Sequence, residues 1–116
     1  MLPMRFNTGA IRAHESRVTF DPPYEHVGSF FRSEVQSPAG ARSYIRLVRD
    51  VIGRNRPPVE CETGNMWTMD IDPEWTTLTN DYGTERQQVR LPTAWLLDAL
   101  QRYLAFRVSR GADPDV

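Results

Sequence analysis

Trp67-Thr68-Met69-Asp70-Ile71-Asp72-Pro73-Glu74-Trp75-Thr76-Thr77-Leu78-Thr79 is the stretch that decides the fold. Up to Ile71, apolar and polar residues alternate, the period of a strand with one face buried. Asp72-Pro73-Glu74-Trp75 suits a type I turn, with Asp at the first position and Pro at the second. A two-residue primed hairpin is disfavoured, because proline cannot adopt the positive φ such turns require. With these four residues as the loop, Ile71 lies opposite Thr76 and Met69 opposite Leu78. Trp67, Met69, Ile71, Thr76 and Leu78 then share the core face. Thr68, Asp70, Thr77 and Thr79 point to the other side, and Trp75 stands at the loop tip. A slip of one residue would invert all of this.

Working outward, Gly64-Asn65 supplies the entry turn and Asn80-Asp81-Tyr82-Gly83 a second turn, after which Gln87–Leu91 reads as a further strand that completes a meander. Pro92-Thr93 starts a last helix with a wide apolar face of Leu96, Leu97, Leu100, Tyr103 and Leu104. Each large side chain buried there contributes about 1.5–3 kcal/mol before entropy is subtracted, so the helix should clamp the sheet. Arg107 and Arg110 complement its C-terminus, Gly111 can cap it, and 112–116 reads as a flexible tail.

Upstream, Ser37-Pro38 has the form of a helix start, a hydroxyl cap followed by proline in the first turn. Tyr44, Ile45, Val48, Val51 and Ile52 make its apolar stripe, and the helix should end near Gly53 ahead of Arg54-Asn55-Arg56-Pro57-Pro58. Val27, Phe30, Phe31 and Val35 recur at helical spacing, predicting a short helix over Glu25–Gln36. Pro3–Asn7 and Arg17–Phe20 have short strand character around Asn7-Thr8-Gly9, ended by Asp21-Pro22-Pro23. The expected fold is α+β: a small antiparallel meander packed against two to three helices, in one domain over 1–111.

That size agrees with the composition: 116 residues, 40% hydrophobic and 25% charged, fit one globular core and not two. No apolar run has the ~18 residues of a membrane span and the start lacks a secretory h-region, so a cytoplasmic protein without membrane partners is expected. The single cysteine, Cys61, fits a reducing compartment. All 14 basic side chains are Arg, consistent with a GC-rich genome and also with bidentate anion binding.

Charge is segregated along the chain. Residues 57–85 hold seven carboxylates, Glu60, Glu62, Asp70, Asp72, Glu74, Asp81 and Glu85, and no basic residue, although the net charge is only −1. Such a block steers charged partners even in a nearly neutral protein. Asp70, Asp72, Glu74, Trp75, Asp81 and Glu85 are therefore the expected partner-binding residues. An aromatic ringed by acids can anchor an interface; Trp75 tucked against the core, and solvated acids without a role, are the alternatives.

No constellation identifies a reaction. Cys61 lies between Glu60 and Glu62, whose charges disfavour a thiolate nucleophile. His14 and His26 have no second cysteine with which to complete a zinc set. His14-Glu15 as an acid/base pair is opposed by the alternation of side chains along a strand. Asp70, Asp72 and Glu74 lack the glycine of an EF-hand loop, and no phosphate-binding motif occurs. No enzyme activity, metal or cofactor is expected. A nucleic-acid partner at Arg42, Arg46, Arg49, Arg54 and Arg56 is argued against by a pI near 6.1.

In layout, Val27-Gly28-Ser29-Phe30-Phe31-Arg32-Ser33-Glu34-Val35, Gly64-Asn65-Met66-Trp67-Thr68-Met69-Asp70 and Trp95-Leu96-Leu97-Asp98-Ala99-Leu100-Gln101-Arg102-Tyr103-Leu104 resemble the immunity proteins of bacterial contact-dependent growth inhibition systems (CdiI) and the YacL group of small bacterial proteins. The first resemblance implies a cytosolic protein that binds the C-terminal toxin domain of a delivered effector, often a nuclease, and blocks its active site. The second implies a housekeeping or regulatory role on the same fold.

Overall fold

The computed structural model describes residues 1–7 and 18–111. Chain order is β1 (Met4–Phe6), β2 (Val18–Phe20), α1 (Glu25–Phe30) running into a π-helical turn (Phe31–Val35), α2 (Pro38–Ile52), β3 (Val59–Thr63), β4 (Thr68–Ile71), β5 (Trp75–Asn80), β6 (Gln87–Pro92) and α3 (Thr93–Ser109). Strands β3 to β6 form an antiparallel meander in sequence order, and β1 with β2 form a separate antiparallel pair. The fold is α+β, with the C-terminal helix packed on the sheet.

The hairpin has the register its alternation requires: Ile71 pairs with Thr76 and Met69 with Leu78. Trp67, Met69, Ile71, Thr76 and Leu78 are all buried. On β6, Val89 and Leu91 join that face, opposite Leu78 and Thr76. Over it, α3 packs against β5 and β6, burying Leu96, Ala99, Leu100 and Tyr103. Helix α1 covers β6 as well, and α2 packs on α3 and on the π-helical turn.

Two elements differ from expectation. Glu25–Gln36 is not one regular helix: α1 widens into the π-helical turn at Phe31, and Gln36, at φ 54°, stops it. The widened turn buries Phe31 and Val35 together, and the Gln36 carbonyl accepts a 2.8 Å hydrogen bond from Arg107. The sheet also has a strand, β3, ahead of the expected first one. Helix α2 ends as expected, at Ile52 just before Gly53, and Arg54 takes the left-handed position at φ 60°.

The start of α2 is as its residues require, with the Ser37 hydroxyl accepting from the Gly40 N–H at 3.0 Å and Pro38 in the first turn; such a cap stabilises by about 1 kcal/mol. Gly40 also has a steric reason, since a methyl group there would overlap the Val35 carbonyl oxygen. The β3–β4 turn is fastened to the π-helical segment by Glu34, whose carboxylate accepts from the Asn65 N–H and, at 3.0 Å, from the Met66 N–H. Burial, then the Glu34 and Glu62 carboxylates, push the nearby Tyr44 phenol up to about 12. The expectations for His14, Glu15, the tail at 112–116 and the Cys61 side chain lie outside the described residues.

Candidate functional site

Helices cover one face of the meander. Alternation sends Asp70, Thr77 and Arg90 to the other face, where they stand directly opposite one another across β4, β5 and β6. An antiparallel sheet tolerates one solvated face; here Glu60 and Arg90 are exposed and Asp70 and Thr77 half-buried, whereas Thr79, further along the same side, is buried and accepts a 3.1 Å hydrogen bond from the Gln88 amide. At its loop end lies a shallow concavity of about 260 Å³, lined by residues that include Glu60, Asp70, Asp72, Trp75, Thr77 and Arg90.

Asp72 organises the loop. Its Oδ1 accepts from the backbone N–H of Glu74 at 2.8 Å and of Trp75 at 2.7 Å. Those bonds, the one from Trp75 first, hold the Asp72 carboxyl below its usual range, and Arg90 adds to the effect. The loop is also tied to α3. The Thr93 hydroxyl donates to the Asp72 carbonyl at 2.8 Å and lies 2.9 Å from the Thr76 hydroxyl. The Thr93 N–H, unpaired within its own helix, donates to the Glu74 carbonyl at 2.9 Å. Helix start and hairpin tip thus complete each other's hydrogen bonding.

Trp75 does not enter the core. It is 39% exposed, and the Arg90 guanidinium sits 4.0 Å from its ring centroid. A cation over an indole face is worth about 0.5–1 kcal/mol at an exposed site.

The six expected residues do not form one patch. Asp70, Asp72, Glu74 and Trp75 gather at the β4–β5 end. Asp81 and Glu85 lie in the β5–β6 turn, at the other end of β5, a separation of roughly 17 Å at ~3.4 Å per residue. Asp81 is moreover ion-paired with Arg86 at 3.2 Å. Two residues of the face were missed. Glu60 lies in β3, where Val59-Glu60-Cys61-Glu62-Thr63 has one aliphatic residue and an irregular register between Val59 and Glu62 that erases the alternation. Arg90 was reachable, because extending the hairpin register by one strand places it beside Thr77.

Among the described residues, no group of His, Cys, Asp and Glu is arranged to hold a metal ion, and no helix is long and apolar enough to cross a membrane. Comparison with protein-family models, curated proteins and solved structures finds no match.

Proposed function

We propose that this chain is an immunity-type inhibitor that binds a basic toxin domain, of nuclease type, in the cytosol and occludes its active site with the open face of the meander. The observation that carries the proposal is the company Trp75 keeps: an exposed indole under the Arg90 guanidinium, in one concavity with Glu60, Asp70 and Asp72, and with Glu74 next to it in the chain. A nuclease cleft must be basic to hold phosphates, and a rigid carboxylate-bearing ribbon can occupy it in place of the nucleic acid. Charge complementarity accelerates encounter and fixes register, and close charge pairs across such interfaces couple by about 1.5–7 kcal/mol. The preformed turn at Asp72 limits the entropy lost on binding. Asp81 and Glu85, at the far end, contribute to steering and not to this contact.

The resemblance to contact-dependent immunity proteins supplies the test: a large secreted effector should be encoded next to this chain, and its C-terminal toxin domain is the expected partner. Co-expression should rescue growth of cells producing that domain. The variant Glu60→Arg/Asp70→Arg/Glu74→Arg keeps Asp72 and its turn, and should weaken the purified complex by roughly 100-fold or more and slow its formation. Trp75→Ala should weaken it through faster dissociation. Unchanged affinity and salt dependence in the triple variant would place the contact elsewhere; failure to protect the cells would remove the immunity reading itself.

A further inference from the structure

On the helical side, α2 and α3 leave between them a groove of about 560 Å³ with two unlike walls. The α2 wall carries Arg42, Arg46 and Arg49, spaced i, i+4 and i+7 along one ridge, with Asp50 as its only carboxylate. The α3 wall is aliphatic beyond the exposed Gln101 at its start: half-buried Leu104, exposed Ala105 and Val108, the last 40% exposed, above a floor formed by Ile45. Both walls run for the same length, from 42 to 49 and from 101 to 108, or two helical turns of about 10 Å at ~1.5 Å per residue. Arg46 and Arg49 are exposed, and the sheet face proposed to bind the basic partner lies on the opposite side of the meander from the helices.

The geometry points to a second, independent docking site: the α2–α3 groove binds an acidic amphipathic helix of another protein. An apolar stripe at i, i+3, i+4 and i+7 spans the same two turns and packs on Leu104, Val108 and Ile45, while carboxylates along one edge meet the arginine ridge. Nucleic acid fits less well, since its phosphates would use the arginines and leave the aliphatic wall against water. A flat anionic membrane would not enter a groove floored by Ile45, which is 6% exposed.

The test uses the full chain and a fluorescein-labelled peptide of about 18 residues, long enough for helix formation to be near balance. The peptide carries Leu on one face and Glu beside it, and a scrambled peptide of the same composition serves as the comparison. The amphipathic peptide should bind and gain helicity by circular dichroism, with the scrambled one at least about tenfold weaker. Arg46→Gln/Arg49→Gln, which removes the charges without placing carboxylates at the helix C-terminus, should weaken binding roughly tenfold or more with the fold retained by circular dichroism. Val108→Glu should weaken it as well, and Glu60→Arg on the sheet face should leave it unchanged. Equal binding of the two peptides, or no effect of the double variant, overturns the proposal. So does short duplex DNA or RNA, or an anionic vesicle, that outcompetes the peptide in an Arg46- and Arg49-dependent way, which would make the groove a phosphate surface.

Discussion

Asp72 is exposed, yet it shapes the candidate site more than any buried residue, because its carboxylate holds the two N–H groups that give the tip its turn. Its folded-state pKa is depressed below the ordinary value of an aspartate carboxyl. The corresponding stabilisation is therefore present above about pH 4 and is lost as pH falls through the depressed folded value. Asp72→Asn keeps an acceptor for the N–H groups and removes the charge. Near neutral pH the variant should melt below the wild type, and the gap should close in acid below the folded value. Melting curves of the two proteins across that range check this. A gap that persists undiminished in acid would mean that the charge contributes nothing to the turn.

Thr93 joins two elements that sequence reading treats separately, the hairpin tip and the last helix. Its hydroxyl reaches both the Asp72 carbonyl and the fully buried Thr76 hydroxyl. Thr93→Val, close in shape, leaves those partners without their bond, and should cost about 1–3 kcal/mol and speed hydrogen exchange at the Glu74 and Trp75 amides. A loss under about 0.5 kcal/mol would show the tie to be idle. At this scale the hairpin was legible because every signal agreed: alternation from Trp67 to Ile71, proline at the second turn position, and one register that buries all the apolar residues. The caps of α2 were legible for the same reason, Ser37 and Pro38 being local. Strand β3 was not, because it is recruited by pairing with β4 and has too few apolar residues to announce itself. The π-helical widening after Phe30 was equally hidden, since Phe30, Phe31 and Val35 satisfy a regular helical period while tertiary packing decides the hydrogen bonding. The candidate site was legible only at Asp70 to Trp75; Glu60 and Arg90 arrive through strand pairing.

Across the molecule, charge is segregated along the chain: residues 57–92 carry seven carboxylates and two arginines, the rest of the chain twelve arginines and eight carboxylates. What keeps the elements together is apolar. Phe6 stacks on Phe106 at 4.3 Å, Phe20 meets Phe31 at 5.5 Å, Phe31 meets Tyr103 at 5.4 Å, and Phe30 meets Trp67 at 6.5 Å. The aromatic contacts run from the β1–β2 pair through the helices to the meander, and α3 reaches both sheets, β1 through the Phe6–Phe106 stack and β5 and β6 directly. Leu100, fully buried on α3, is the place to test this link. Leu100→Ala should cost about 2–5 kcal/mol, the lost transfer energy plus a cavity in a layer that cannot collapse far. If helices and meander form one cooperative unit, the urea midpoint must fall equally by far-UV circular dichroism, which reports the helices, and by tryptophan fluorescence, to which buried Trp67 in the core of the meander contributes. Separation of the two transitions in the variant would mean that the meander holds its structure without the helix, and that the stiffness of the acidic tip does not depend on α3.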